Sequence, residues 1–287
     1  MATLARNWAI RLSNGSTVSV LSTIPFATIH LLSLGIFFFP FHWSYLITCL
    51  SLLFVRMFFV TAGYHRYFSH RAYKTSRTFQ FVIAFMAQTS SQKGVLWWAA
   101  HHRHHHRYSD QEDDLHSPTL FGFFWSHLGW ISSDKYVGTR LDYVGDFAKF
   151  RELRWLDRYY LVPPALLAVA LVLIGGLPLF FWGFCLSTTL LWHDTFTINS
   201  LSHLFGSRRY ETPDTSRNNW LLALMTLGEG WHNNHHHYMA SARQGFFWWE
   251  IDITYYTLKA LSWCGLVHDL RQVPVHMLEP QEQKLAA

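Results

Sequence analysis

WWAAHHRHHH, residues 97–106, places five histidines in six consecutive positions behind a tryptophan pair. Two further runs are rich in histidine, HRYFSH at 65–70 and HNNHHH at 232–237. Neutral imidazole is the commonest metal ligand in proteins, and positions i, i+3 and i+4 share one face of a helix. His102, His105 and His106 are therefore predicted to hold a metal together. Packing so many imidazoles into one chain would be costly without a metal to coordinate them.

The three runs supply more imidazoles than one ion accepts. The number of imidazoles is best explained by two metal ions, each with about four or five ligands, and by space for a small molecule between the ions. A closed structural zinc site would usually include cysteine, so zinc is not favoured. The eight histidines selected by spacing are His65, His70, His102, His105, His106, His232, His235 and His236.

The pair His65 and His70 does not fit an ordinary helix. At about 100° per residue these positions lie about 140° apart, so they share a face only where a helix ends or bulges. We expect them at the cytoplasmic end of an apolar helix, where the hydrogen-bond ladder can loosen.

The other histidines carry weaker signals. Asn199 and His203 are spaced i, i+4, which fits a metal site and an ordinary polar pair at a helix end equally well. His101, His104 and His237 are predicted to point away from the metal, and His116 and His127 are left undecided. Single histidines in apolar surroundings are usually hydrogen-bonded core residues, and we predict this for His30, His42, His268 and His276.

The composition indicates a membrane protein. Half of the 287 residues are hydrophobic, and 14% are charged, against about 25% in soluble domains. Four apolar runs approach the length that crosses a bilayer, at about 20–39, 43–62, 159–174 and 179–196. A flexible polar lead, 1–19, precedes a domain over 20–265, and 266–287 form a tail. The predicted fold is an all-α integral membrane protein with four transmembrane helices and a cytoplasmic helical cap, 63–158 and 197–265, that carries the histidines.

Charge placement predicts the orientation. The turns at 40–42 and 175–178 hold no lysine or arginine, and 22 of the 23 basic residues lie outside the four runs. The exception, Arg56, is expected to extend towards the membrane interface. Because basic residues favour the cytoplasmic side, both termini and all three histidine runs are predicted to be cytoplasmic.

Other functional classes fit the sequence less well. The net charge of +5 comes from dispersed basic residues without a nucleic-acid-binding motif, so an anionic membrane surface explains it better. The isolated cysteines predict neither a disulfide framework nor a thiolate site. Cys49, Cys185 and Cys264 are interpreted as small apolar core residues.

The order of the motifs resembles the membrane fatty acid desaturases of the acyl-CoA delta-9 (stearoyl-CoA) type, in their compact bacterial branch. The resemblance rests on HRYFSH, HHRHHH and HNNHHH in this order, with NSLSH at 199–203 between the last two. GYHRYFSHRAYKTSR at 63–77, GFFWSHLGW at 122–130 and GEGWHNNHHH at 228–237 support it. It covers about residues 35–265.

The resemblance implies a non-haem di-iron centre that uses O2 to place a cis double bond in a saturated acyl chain. Its implied iron ligands are the eight histidines above and His203, with Asn199 acting through water. Electrons would come from ferredoxin or cytochrome b5 with a reductase. The implied location is the bacterial inner membrane, with the active site cytoplasmic.

An acyl tunnel is also implied by the resemblance. Alignment places Gln92, Trp98, Trp130, Thr195 and Phe196 on its wall. Animal acyl-CoA desaturases have Arg-Asp before the second box, whereas this chain has Ala100-His101, so the carrier stays open between acyl-CoA and a membrane lipid. A hydroxylase on the same scaffold is an alternative. A histidine-rich metal transporter is a remote one, because its ligands would lie at mid-membrane depth.

Overall fold

Helices make up most of the architecture in a computed structural model that describes residues 9–11 and 17–279. The α-helices are α1 (Val20–Ser33), α2 (Trp43–Phe59), α3 (Arg77–Gln88), α4 (Val95–Tyr108), α5 (Pro118–Phe121), α6 (Gly145–Ala148), α7 (Arg151–Arg158), α8 (Val162–Leu179), α9 (Ser187–Leu204), α10 (Trp220–Met225), α11 (His232–His237) and α12 (Ile253–Trp263). Short 3-10 turns follow α1 and connect several loops.

The predicted all-α class needs a small correction, because two antiparallel strand pairs occur. β1 (Ala9–Arg11) pairs with β2 (Thr17–Ser19), and β3 (Lys74–Thr75) pairs with β4 (Val267–His268). The first pair lies within the stretch predicted to be a flexible lead. The second pair ties part of the predicted tail to the chain just after His70.

Three helical runs in the described residues are long and apolar enough to cross a membrane, namely Val20–Phe38, Trp43–Ser69 and Val162–Leu204. The third has 43 residues, about twice what a bilayer core of about 30 Å needs. Its backbone leaves helical geometry at Gly175 and at Gly176, where φ is 66°. Glycine adopts positive φ without steric cost, so the break falls within the turn predicted at 175–178.

The second run differs from the prediction at its C-terminal end. The predicted span stops at residue 62, but α2 continues without interruption into a π-helical segment, Val60–Ser69. We call this the π segment. The first histidine run therefore belongs to the same continuous helix as the apolar residues before it.

The prediction for Arg56 is wrong, because this side chain is 1% exposed and does not extend to an interface. Its guanidinium donates to Ser187 Oγ at 2.5 Å, Thr188 Oγ1 at 2.8 Å and the Thr89 carbonyl at 3.2 Å. A buried charge needs such hydrogen bonds to replace water. Arg56 thus joins α2 to the start of α9.

The largest buried cluster of apolar residues holds the π segment against α3, α4 and α7. It includes Tyr64, Phe68, Ile83, Leu96 and Leu153, each at most 2% exposed. Fully burying a large apolar side chain stabilises the fold by about 1.5–3 kcal/mol. This packing fixes α4 beside the π segment and so brings the first two histidine runs together.

Several predicted core residues lie at the surface instead. Cys49 and Cys185 are buried as predicted, but Cys264 is exposed beyond the end of α12. His42, His268 and His276 are also exposed, because they lie at a helix start, an outward strand position and a surface turn. His30 is half-buried and hydrogen-bonded to the Phe26 carbonyl and to His193.

Candidate metal centre

Nine buried or half-buried histidines converge in two adjoining clusters. The first cluster is His65, His70, His102, His106 and His235, and the second cluster is His105, His203, His232 and His236. Within each cluster, one nitrogen from each ring lies within 4.8 Å of all the others. These are the eight histidines selected by spacing together with His203.

The clusters divide the histidine runs in a way that spacing did not predict. On α4, His102 and His106 contribute to the first cluster, whereas His105 contributes to the second. The prediction that these three hold one metal together is therefore wrong. His105 and His106 are one residue apart and diverge by about 100° around the helix axis. On α11, His235 likewise separates from its neighbours His232 and His236.

The π segment brings His65 and His70 together. The His70 amide donates to the His65 carbonyl at 3.2 Å, an i to i+5 bond that widens the turn. The two ring centroids are 4.9 Å apart. The predicted need for a bulged helix end is confirmed.

The ring nitrogens of the first cluster face one another at close range. Nε2–Nε2 distances are 2.9 Å for His65–His235 and His70–His102, and 3.0 Å for His102–His106 and His106–His235. Nitrogens at right angles around an ion with bonds of about 2.1 Å would be about 3.0 Å apart. The donor set therefore fits a metal ion with imidazole ligands.

The second cluster contains nitrogens without protein partners. His203 Nε2 lies 3.1 Å from His232 Nε2. His105 Nε2 and His236 Nε2 are buried and have no hydrogen-bond partner among the residues that the structure describes. Leaving a buried nitrogen unpaired costs about 1–3 kcal/mol, so a ligand is expected here. The rings of His106 and His236 are 4.5 Å apart, which places the two clusters side by side.

Carboxylates orient the rings from behind. Asp114 lies 2.8 Å from His105 Nδ1, Asp214 lies 2.6 Å from His236 Nδ1, and Asp110 lies 3.2 Å from His203 Nδ1. Glu229 pairs with His65 Nδ1 in the first cluster. Such partners fix the ring orientation and leave Nε2 free for a metal.

These acids were missed in the sequence. The available signal was the presence of acidic residues close to the histidine runs in a chain with few charges, such as Asp110 and Asp114 after α4. Glu229 lies three residues before His232 in GEGWHNNHHH, which is a signal of the same kind.

The electrostatics keep most of the rings neutral. Burial, followed by neighbouring imidazoles, holds the pKa values of five histidines well below their usual range, namely His70, His102, His106, His232 and His235. Burial alone would raise the pKa of Asp114, but His105 lowers it overall. Neutral imidazole is the form that binds metal.

A cavity of about 560 Å³ adjoins the clusters. Its wall includes the five residues predicted to line a tunnel, Gln92, Trp98, Trp130, Thr195 and Phe196, together with His102 and Asn199. Gln92 Nε2 donates to Thr195 Oγ1 at 3.0 Å. Trp98 stacks on His102 with ring centroids 4.9 Å apart.

The remaining histidines lie outside the two clusters. His104 bonds Tyr143 and the Asp113 carbonyl, and His237 bonds the Met277 carbonyl. His101 faces the cavity wall. The undecided His116 stacks on His105 at 4.2 Å, and His127 bonds Ser200 and His193.

Apolar helices of membrane-spanning length, paired imidazole clusters and an adjoining apolar cavity define a helical protein equipped to hold metal beside an apolar ligand. The family model for fatty acid desaturase matches residues 41–263. The chain belongs to the fatty acid desaturase family, whose members are oxidoreductases that act on fatty acyl chains.

Curated relatives differ in carrier and position. The chain is 35% identical to an acyl-CoA 5-desaturase of Anemone leveillei over 81% of this chain and 74% of the relative. It is 35% identical to an sn-2 palmitoyl-lipid 9-desaturase of Nostoc sp. over 75% and 77% of the two chains. It is also 35% identical to a chloroplastic palmitoyl-monogalactosyldiacylglycerol delta-7 desaturase of Arabidopsis thaliana over 90% and 69%.

Proposed function

We propose that this protein is an O2-dependent desaturase that introduces a cis double bond at position 9 of a saturated acyl chain. The reaction consumes one O2, two electrons and two protons, and it releases two waters as two hydrogens leave adjacent methylenes. The observation that carries the proposal is the continuity between the clusters and the cavity. His102 belongs to the first cluster and also lines the apolar cavity.

We propose two non-haem iron ions as the cofactor. The first cluster would hold one ion, and the second cluster would hold the other, with Asn199 acting through water. Bound iron would supply the activation of O2 and the removal of hydrogen from the acyl chain. The unpaired Nε2 atoms of His105 and His236 support a metal at the second cluster.

The protein's own residues would position the substrate. The apolar wall excludes water from the reacting methylenes, and Trp98 fixes the ring of His102 by stacking on it. The hydrogen-bonded pair Gln92–Thr195 lies on the cavity wall and would set the path of the acyl chain. The position of the double bond, proposed as 9, would be set by which methylenes of the acyl chain lie beside the clusters.

In the membrane, we propose four spans that hold one cytoplasmic cap. The backbone break at Gly175 and Gly176 supports dividing the third run into two spans. Both termini and both clusters would face the cytoplasm of a bacterial inner membrane, and ferredoxin or cytochrome b5 with a reductase would supply electrons. The placement of basic residues supports this orientation.

Lipid analysis of a host that expresses the chain tests the proposal. We expect a new monounsaturated fatty acid with a cis double bond at position 9, absent from cells that express His105→Ala. A hydroxy fatty acid in its place would indicate the hydroxylase instead. A double bond at position 5 or 7 would keep desaturation and overturn the regiospecificity.

A further inference from the structure

The cavity reaches the outer surface between α1 and α8. Its wall includes Pro25 and Thr28 of α1 and Ala165 of α8, and these three residues are also exposed on the outside of the helices. Nearby outward residues are large and apolar, such as Leu31 at 69% and Leu166 at 55% exposed. The wall between α1 and α8 is therefore open towards the surface that would face lipid in the proposed membrane arrangement.

Where α1 and α8 line the cavity, small side chains are interspersed with larger ones such as Phe26 and Ile29. Ser22, Thr28, Ala165 and Ala168 all contribute to the cavity wall. Where the side chains are small, a slot remains between the two helices that large side chains would fill. A slot of this kind admits a flexible alkyl chain from the side.

A single cation lies at the end of the slot where both helices begin. Among the described residues, Lys93 is the only lysine or arginine that lines the cavity. Its ammonium lies 5.6 Å from the ring centre of Tyr160, just before α8, and 5.9 Å from that of Trp97. Within the described part of the chain, Lys93 forms no ion pair with a carboxylate.

The backbone around Lys93 is held in an unfavourable conformation. Ser91 has φ 60° and Lys93 has φ 69°, a backbone conformation that residues other than glycine rarely adopt. Such strain persists where the surrounding structure enforces it, often at ligand sites. It places the Lys93 side chain in the cavity instead of on the outer surface.

The single positive charge at this end of the slot favours one kind of acyl carrier over another. Lipid phosphates lie at the membrane boundary, where spanning helices begin, and exposed aromatic residues such as Tyr159 mark the same level. One ammonium matches the single negative charge of a phosphodiester. Coenzyme A carries a pyrophosphate and a further phosphate, for which a cavity with one cation provides few partners.

We propose that the substrate is a membrane glycerophospholipid whose acyl chain enters sideways between α1 and α8 while Lys93 binds its phosphodiester. This inference rests on the proposed desaturase function and assigns its carrier. Acyl-CoA arriving from the aqueous side is the alternative that the experiment distinguishes.

The test uses the iron-loaded full chain in lipid nanodiscs with ferredoxin, ferredoxin reductase and NADPH. One arm contains phosphatidylglycerol with deuterated stearoyl chains, and the other contains unlabelled lipid with deuterated stearoyl-CoA. We expect labelled oleoyl product in the phospholipid arm only. Product in the CoA arm only, or equally in both, overturns the inference and leaves desaturation intact. Product in neither arm overturns the desaturase function itself.

Matched variants locate the entrance. Ala165 and Ala170 are both exposed on α8, but only Ala165 lines the cavity. Ala165→Trp should lower phospholipid turnover about tenfold or more by filling the slot, whereas Ala170→Trp should keep it. Equal turnover of the two variants, with equal melting temperature and iron content, would overturn lateral entry. Phosphatidylglycerol with a photoactivatable acyl chain should label α1 and α8 in wild type and lose this labelling in Ala165→Trp.

A lysine pair tests the phosphate contact. Lys93→Gln should raise the KM for phosphatidylglycerol about tenfold, because the neutral amide cannot pair with the charge of the phosphodiester. Lys135→Gln is the control, since Lys135 is exposed and also lies over a tyrosine ring. An unchanged KM in Lys93→Gln would remove the phosphodiester from the proposal.

Discussion

Asp114 Oδ1 lies 2.8 Å from Nδ1 of His105, so the opposite nitrogen of this ring, Nε2, points into the second cluster. Asp114 is fully buried, and its carboxylate also accepts hydrogen bonds from the backbone amides of Asp110 and Leu115. The carboxylate thus orients the ring from a buried loop whose backbone amides it also binds.

Replacing Asp114 should weaken the second metal site without removing a ligand. We expect Asp114→Asn to lower metal affinity or activity about 10–100-fold, measured as metal per chain and as product formed in cells. Asp142→Asn is the control, because Asp142 is exposed and, among the described residues, its ion pair is with Arg140 at 3.5 Å. Full metal content and activity in Asp114→Asn would show that this carboxylate does not orient His105.

Two neighbouring histidines separate ligand from packing roles. His105→Ala should abolish activity and lower metal content, because His105 belongs to the second cluster. His104→Ala should keep its metal content. Its free energy of unfolding should fall by about 0.5–1.5 kcal/mol for each hydrogen bond removed, since the His104 ring is hydrogen-bonded to Tyr143 and to the Asp113 carbonyl. Equal loss of metal in both variants would contradict the assignment of clusters.

Acid should destabilise the metal-free protein. The folded-state pKa values of five cluster histidines lie below their usual range, so the unfolded chain binds more protons once the pH falls below about 6.5. The stability that these neutral rings contribute is present above that pH and lost as the pH falls through it. We expect the melting temperature of the metal-depleted protein to drop between pH 7 and pH 5. A constant or rising value would contradict the neutral state of the rings.

A buried arginine should matter more for stability than an exposed one. Arg66 is 1% exposed, and its guanidinium lies 3.0 Å from both Glu229 and Asp252. Arg66→Met would leave buried carboxylates unpaired, at a cost of about 3–5 kcal/mol. Arg77→Met is the control, because its pair with Glu152 is exposed and should contribute little. Similar melting temperatures of the two variants would contradict this difference.

Much of the site could be predicted because its residues are close in sequence. The spacing within the three histidine runs selected eight of the nine clustered histidines, and the poor fit of His65 and His70 to an ordinary helix predicted a helix end or bulge where the π segment lies. Their division between two clusters could not be predicted, since it depends on where α4 and α11 meet in space. The orienting carboxylates are held by loops whose positions depend on the same packing.

The fold shows a similar division. Apolar runs and the sequence Gly175-Gly176-Leu177-Pro178 predicted the helices and the break, because length and backbone chemistry are local properties. Arg56 was misplaced because its partners, Ser187 and Thr188, are distant in sequence. Burial of His42, His268 and His276 was predicted wrongly, because apolar neighbours in the sequence do not establish that a side chain is buried in the fold.

The alternation of histidines on α4 and α11 has a consequence for assembly. Each of these helices sends side chains to both clusters. An ion bound at one cluster would hold both helices in the register that the second ion requires. Binding at the two clusters would therefore be cooperative, because loss of an ion from one cluster would weaken metal binding at the other.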